Sequence, residues 1–355
     1  MLTEKNLPSA DKRGIPNKES SMKAVVMEST GAPDVLQLSE IDAPQIEQKR
    51  EIKVRLKAAG VNPIDTKLRR AGTYHPELTP TILGCDGAGI VESVGAAVER
   101  FAVGDEVYFC NGGIGGPCGN YAEYAVVDER YVAHKPAALT FVEAAAAPLV
   151  LITAWEALHD RVGIKAGDKV LIHAGAGGVG HVAIQLAKIA GAEVLTTVSD
   201  QEKAAFCSEL GADQVTLYSE TDFAKVALSW SRGRGVDCIF DTVGGQTFSD
   251  SFAALRYGGD LVTLLQPAPD LDWKIARMRN LRISLELMLT PLYYNMIEAR
   301  QHQGNILSQC AALFDQGKLG IKVADVLPLA RAAEAHQRIE QGSTSGKLVL
   351  AIDSE

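Results

Sequence analysis

The chain has 355 residues, of which 46% are hydrophobic and 22% charged, enough for two domains because one core rarely grows past ~250–300 residues. Its net charge of −9 and the lack of any basic run argue against a nucleic-acid footprint. The longest largely apolar run, Ala144 to Trp155, contains Pro148 and is too short to span a bilayer.

Residues 1–21 are polar, of mixed charge, and contain two prolines but no apolar signal core, so they are expected to be a disordered extension. The fold is expected to begin at Met22-Lys-Ala-Val-Val. From there to about Thr140 the sequence reads as short strands and glycine turns. Lys53–Lys57 alternates as a half-buried strand does, and Gly89–Gly95, Asp105–Phe109 and Tyr121–Val127 are further strands. That spacing predicts a β-rich domain with a partly closed barrel. Six cysteines are scattered along the chain without a CxxC pair, which fits a reducing cytoplasm better than a disulfide scaffold.

Beyond Glu143 the pattern changes to strand alternating with helix. Strands are expected at Val170–His173, Glu193–Val198, Gln214–Leu217, Val236–Asp241 and Leu261–Leu265, with helices including Gln201–Leu210 and Phe248–Leu255. Such a βαβ series implies a doubly wound parallel sheet. A helix from about Asn295 to Phe314, the stretch Gly320–Leu329, a helix through His336 and a last strand Lys347–Ile352 complete the chain. These last pieces are placed back on the first domain, which makes that domain discontinuous: 22–142 with 291–355, around 143–290.

The most informative run is Lys169-Val-Leu-Ile-His-Ala-Gly175-Ala-Gly177-Gly178-Val179-Gly180 and the helix after it. A buried strand, a tight glycine turn and an amphipathic helix follow one another, the context that GxGxxG requires. Gly175 permits the turn and Gly177 lets the backbone approach a pyrophosphate. Gly180 allows close helix–strand packing, and the helix amides then face the anion. Dinucleotide binding follows.

Several stretches, in order, resemble the medium-chain dehydrogenase/reductase superfamily and its zinc-independent quinone oxidoreductase (zeta-crystallin-like) branch. They are Ala59-Gly-Val-Asn62-Pro-Ile-Asp65-Thr, Leu83–Gly95, Val103-Gly-Asp-Glu-Val, Gly119-Asn-Tyr-Ala-Glu-Tyr, Leu151-Ile-Thr153-Ala-Trp-Glu-Ala-Leu, Asp241–Gly245 and Gly346–Leu350. The resemblance implies an α/β protein with a GroES-like catalytic domain and a Rossmann domain, an NAD(P)H-dependent reductase with its site between them. It further implies a homodimer formed edge to edge through the Rossmann sheets, which would cover an exposed strand. Asn62 falls where relatives contact nicotinamide and substrate, and Thr153 and the turn Gly175, Gly177, Gly178, Val179 and Gly180 are expected on the cofactor.

Departures from the zinc enzymes are equally informative. Asn62 stands in place of a cysteine ligand, Cys85-Asp86 in place of His-Glu, and an apolar residue near Leu149 in place of a second cysteine. Adjacent side chains in extended backbone point to opposite faces, so Cys85 and Asp86 do not make a ligand pair, and no metal is expected. Cys85 reads as a small buried residue. Cys110 and Cys118 flank a glycine-rich loop, either as two free thiols or as a redox pair.

Counting ~20 residues past the turn reaches Asp200, which by itself would indicate NAD. Strand periodicity disagrees, because Glu193–Val198 ends first and the acidic position of NAD-using relatives falls on Val198. Ser199, Lys203 and Tyr218 match the positions that hold the 2′-phosphate in the quinone reductase branch, so NADPH is expected. Quinones and α,β-unsaturated carbonyls suit a site without metal, since hydride addition leaves a delocalised oxyanion. An enoyl-thioester reductase, a zinc-binding alcohol dehydrogenase-type enzyme and a non-catalytic NADPH-binding structural or regulatory protein remain alternatives. Asn62 and Asp65 are catalytic candidates beside Tyr74, which either donates the proton that follows the hydride or merely caps a loop before Pro76.

Overall fold

The computed structural model describes residues 21–115, 119–342 and 344–352. Residues 1–20 of the expected extension, and Cys118, lie outside them. Ser21, assigned above to the extension, instead opens the first strand β1 (Ser21–Met27), where it pairs with Asp42 of β2 (Leu36–Asp42).

The longest strand, β3 (Glu51–Val61), is the spine of the N-terminal half. Its inward residues Ile52, Val54 and Leu56 are buried, as alternation requires, and the run Ala58–Val61 is buried on both faces. Asn62 then caps α1 (Pro63–Ala71), with Pro63 at the first helical position, where its missing N–H costs nothing. Next come β4 (Thr81–Ile82), β5 (Asp86–Val94), β6 (Glu106–Cys110), β7 (Tyr124–Asp128) and β8 (Val132–His134). Helices α2 (Phe141–Ala146) and α3 (Pro148–Trp155) follow, and α3 continues into a π-helix, Glu156–Val162.

The second half alternates as expected: β9 (Lys169–Ile172), α4 (Gly180–Ile189), β10 (Glu193–Val198), α5 (Gln201–Glu209), β11 (Gln214–Leu217), α6 (Phe223–Trp230), β12 (Val236–Asp241), α7 (Gly245–Ala254) and β13 (Leu255–Thr263). A short helix α8 (Lys274–Met278) leads to β14 (Arg282–Leu285), a strand absent from the sequence reading: Arg282-Ile-Ser-Leu has no apolar run like that of β9, and none of its residues is fully buried. After α9 (Thr290–Tyr293), the chain runs through α10 (Ile297–Asp315), β15 (Val323–Pro328), α11 (Ala332–Gln341) and β16 (Lys347–Ala351).

The six-stranded sheet is parallel throughout, in the order β11-β10-β9-β12-β13-β14. The chain starts in its middle and winds outward in both directions, which leaves a crevice at the carboxyl end of β9, where the direction of winding reverses. The seven-stranded sheet has the order β15-β16-β3-β5-β6-β8, with β7 also on β3. The end of the chain thus lies in the first sheet, beside β3. Among the described residues no helix is long and apolar enough to cross a membrane.

Candidate active site

A cleft of about 380 Å³ opens at the crevice of the parallel sheet and extends to the end of β3. The glycine turn, the ends of β12 and β13 (Thr242, Leu264, Leu265) and the segment after β14 (Glu286–Leu289) form one side. Asn62, Ile64, Lys67, Leu149, Thr153 and Lys347 come from the other.

Gly177, Gly178, Val179 and Gly180 all line this cleft, together with Asn62 and Thr153; Gly175 is not in the lining. The reasons differ from one glycine to the next. A Cβ on Gly175 would lie 2.1 Å from Thr196 Oγ1, and one on Gly180 would lie 2.3 Å from the Ala174 carbonyl oxygen. Both are needed for close packing. A Cβ on Gly177 would meet only the Ala174 carbonyl, at 3.2 Å, so its other side is open to an approaching ligand. Ala174 takes a left-handed backbone (φ 53°), a strained choice for a residue with a Cβ. Buried His181 fastens the turn to α4: its Nδ1 lies 2.9 Å from the Gly177 carbonyl and its Nε2 accepts from the Lys322 N–H at 3.1 Å. Burial lowers its pKa to about 4, so it is a neutral strut.

At the tip of β10 the structure brings Ser199 and Lys203 together, the Lys203 ammonium donating to Ser199 Oγ at 2.8 Å. Asp200 is in the same group. Its Oδ1 accepts the Lys203 N–H and caps α5, and its Oδ2 accepts from the Ser199 hydroxyl at 2.7 Å. The Lys203 N–H, then the Ser199 hydroxyl and the Lys203 ammonium, hold this carboxyl down at about 2. Tyr218 is joined to the same tip through its N–H to the Val198 carbonyl at 3.2 Å, and its side chain is 59% exposed. These groups stand outside the cleft, at its β10–β11 end.

The other side of the cleft is a buried polar floor. Asn62 Nδ2 donates to Asp86 Oδ2 at 2.9 Å, and the Lys347 ammonium donates to Asn62 Oδ1 and, at 3.2 Å, to the Val61 carbonyl. Lys347 and Asp86 form an ion pair at 3.7 Å, and Asp86 Oδ1 accepts the Leu149 N–H at 2.8 Å. Asp65 does not reach the cleft. It is fully buried, its Oδ2 accepting from the Asn62 N–H at 2.8 Å and the Tyr121 hydroxyl at 2.9 Å. Burial is the main reason its pKa rises to about 7. Burial likewise raises Asp86 and lowers Lys347. Tyr74 also lies outside the cleft lining; it is half-buried, its ring edge-on to Tyr293 at 5.5 Å.

Sequence reasoning missed the roles of Asp86 and Lys347. A signal was there: Lys347 is the one charge on an otherwise apolar strand, and Asp86 stands directly before Gly87-Ala88-Gly89 at the start of β5. Cys85 is buried as expected, its Sγ 3.9 Å from Asp65 Oδ1. Hydrogen bonding to the Cys110 thiol, followed by burial, pushes the Cys85 thiol well up. Among the described residues no three His, Cys, Asp or Glu side chains are placed to share a metal ion.

Comparison with known proteins agrees with this geometry. Residues 48–137 match the family described as alcohol dehydrogenase GroES-like domain, and residues 210–350 the family described as zinc-binding dehydrogenase. The chain is 31% identical to a quinone oxidoreductase of Pseudomonas aeruginosa over 92% of its own length and 99% of that protein. It is 32% identical to a 2-haloacrylate reductase of Burkholderia sp over 92% of its length and 98% of that protein. Among solved structures, the quinone oxidoreductase of Coxiella burnetii superposes with a TM-score of 0.81 at 33% identity, over 94% of this chain and 100% of that one. An alcohol dehydrogenase superfamily protein from Novosphingobium aromaticivorans superposes with a TM-score of 0.86 at 34% identity, also over 94% and 100%.

Proposed function

Because the chain belongs to the medium-chain dehydrogenase/reductase superfamily, in its quinone oxidoreductase branch, we propose that it reduces quinones or α,β-unsaturated carbonyl compounds with NADPH and without zinc. It is an oxidoreductase that uses a nicotinamide cofactor. The observation that carries the finer reading is the cleft itself. It runs from the bare Gly177–Gly180 turn to a wall built from Leu149, Leu264, Leu265 and Leu287–Leu289, which suits a flat, apolar acceptor. The 2-haloacrylate reductase among the relatives points to activated alkenes as a second acceptor class.

When bound, the cofactor supplies the hydride; the chain's residues hold and orient the reactants. The open face of Gly177 and the amides of the turn suit a pyrophosphate, with the methylene stem of Lys347 packed beside Gly178. The choice of NADPH rests on the tip of β10. The Asp200 carboxylate is already engaged by its own helix and by Ser199, so it is not free to take two ribose hydroxyls. The Lys203 ammonium, with three protons and partners only in Ser199 Oγ and, at 3.3 Å, Asp200, keeps a donor for a 2′-phosphate, and the Ser199 hydroxyl could turn to it from Asp200, with Tyr218 beside them. The zinc-free reading rests on the donor set. The amide of Asn62 stands where a ligand would be needed, and the amide is already committed at both ends.

A homodimer and a cytoplasmic setting belong to the same proposal. The outer edge of β14 is flanked by exposed apolar side chains, Leu285 at 59% and Leu287 at 49%, which a second copy would cover. Each described cysteine is a free thiol, as a reducing compartment requires. The test is oxidation of NADPH and NADH in the presence of quinones, enones and enoyl thioesters, with elemental analysis and light scattering of the same preparation. Turnover confined to enoyl thioesters, one zinc per chain lost together with activity, or a monomer would each overturn its part of the reading.

A further inference from the structure

Among the described residues three charged side chains line the cleft, and two of them are already paired. Lys347 is held by Asn62 Oδ1 and, at 3.7 Å, by the Asp86 carboxylate, and Glu286 accepts from Arg161 Nε at 2.7 Å. The third is Lys67, whose ammonium has no carboxylate or hydrogen-bond acceptor as a partner among the described residues. The cleft thus keeps one open positive charge, facing a wall of Leu264, Leu265 and Leu287–Leu289.

The helix α1 explains why this cation is left over. Pro63, Ile64 and Lys67 share the face that lines the cleft, since residues three and four apart are neighbours on a helix. Asp65, Thr66, Leu68 and Arg69 occupy the other face and are buried, with Arg69 tied to Glu340 of α11. Lys67 is exposed while Asn62, the cap of the same helix, is fully buried, so α1 climbs from the floor of the cleft to its rim. At ~1.5 Å per residue the Lys67 backbone stands ~7 Å beyond Asn62, close to the length of a small bicyclic ring system. The anions of a dinucleotide have other donors in the reading above, namely the amides of the glycine turn and Lys203. The chain as a whole carries a net charge of −9, so its general field repels anions, and an anionic acceptor has to be drawn in by a local cation. Beside an apolar wall such a cation attracts an anion more strongly than it would in open water.

We propose that Lys67 selects acceptors that carry an anionic group, so that the substrates are quinones or enones bearing a carboxylate. This rests on the reductase reading above and narrows its substrate class. The conjugated carbonyl lies at the floor beside Asn62, the apolar body of the acceptor packs on the leucine wall, and the carboxylate points to the rim, where the Lys67 ammonium pairs with it. The hydride transfer is unaltered. Lys67 contributes binding at the end of the acceptor that does not react, and so it acts on the choice of substrate.

The experiment compares wild type with Lys67→Met, Lys67→Glu and Lys67→Arg on two matched pairs of acceptors, with NADPH as reductant. The pairs are naphthoquinone sulfonate with naphthoquinone, the sulfonate standing in for a carboxylate, and an acylacrylate with its methyl ester. Thermal melts and fluorescence titrations of NADPH and NADH report folding and cofactor binding independently of turnover. A charged substituent also changes the reactivity of the acceptor, so each variant is scored by its anionic-to-neutral ratio of kcat/KM relative to that of wild type. Lys67→Met should lower the ratio roughly tenfold, mainly through KM for the anionic member. Lys67→Glu should lower it further, and Lys67→Arg should keep it. In wild type the KM for the anionic member should rise with salt, and in Lys67→Met that rise should vanish. A ratio unchanged in both Lys67→Met and Lys67→Glu, or equal losses with the two members of a pair, would overturn the proposal. Weaker binding of NADPH and NADH alike in Lys67→Met would also overturn it, by placing the ammonium on the cofactor pyrophosphate. A wild-type protein that reduces no member of either pair breaks the reductase reading itself, whereas a wild type active on both members, with a ratio indifferent to Lys67, breaks the selection alone.

Discussion

The glycine turn presents bare backbone to the cleft, whereas the floor opposite packs Asn62, Asp65, Asp86 and Lys347 at no more than 3% exposure. The turn works because side chains are missing from four of its six residues, Gly175, Gly177, Gly178 and Gly180. The floor works because one cation and two acids from three separated segments, with the Asn62 amide between them, offset one another in a place where none could stand alone. One is a property of a short peptide that a strand and a helix hold in shape. The other exists only when β3, β5, α1 and β16 are all in place.

That contrast predicts the largest effect for the floor. Lys347→Met should cost about 3–5 kcal/mol in urea unfolding, because Asp86 is left buried without its cation. A loss within the ~0–1 kcal/mol of an exposed pair would show that the floor is solvated and the contrast mistaken.

At the far end of the turn, Lys203→Ala should weaken NADPH binding by ~1.5–3 kcal/mol, tenfold or more, with NADH nearly unchanged. Equal losses for both cofactors, or a wild-type preference for NADH, would move the adenosine site to Asp200.

Gly180→Ala tests the claim that the turn depends on missing side chains. The new Cβ would meet the Ala174 carbonyl at 2.3 Å and the Gly175 Cα at 2.8 Å, both backbone atoms that cannot swing aside. A destabilisation of about 1–3 kcal/mol is expected, together with impaired dinucleotide binding. Unchanged melting and binding would show that the turn has room to spare.

The mildest effect is a slope. Asp65 titrates near 3.8 when unfolded and at about 7 when buried, so between those values the folded chain binds the extra proton. Stability is therefore greatest on the acid side and is lost as pH rises through that window, by at most ~1.4 kcal/mol per pH unit for one group. Asp65→Asn keeps an acceptor for Tyr121 and should flatten the slope. An identical slope in the variant would assign the proton to another group.

Not every candidate named from sequence reaches the cleft. Asn62 and Thr153 do, but Asp65 caps α1 beneath it and Tyr74 packs against Tyr293. Their neighbours in sequence gave no warning, because facing the cleft or facing away depends on how α1 and the loop after it pack. Glu286 was invisible as a site residue for the same reason, and the lone charge of Lys347 on its apolar strand pointed to no partner until the fold set it against Asp86.

By itself the sequence determined what depends on contiguous residues. The turn Gly175–Gly180 between its strand and helix, the βαβ alternation from β9 to β13 and the cap of α1 are set by backbone geometry and hydrophobic period, which act over a few residues. Only the tertiary structure decided what depends on residues far apart in the chain. It placed β16 beside β3 so that Lys347 meets Asp86, and it brought the unforeseen β14 to the sheet edge so that Glu286 meets Arg161. Burial and the approach of like and unlike charges fix protonation there, and neither quantity exists until the chain has folded.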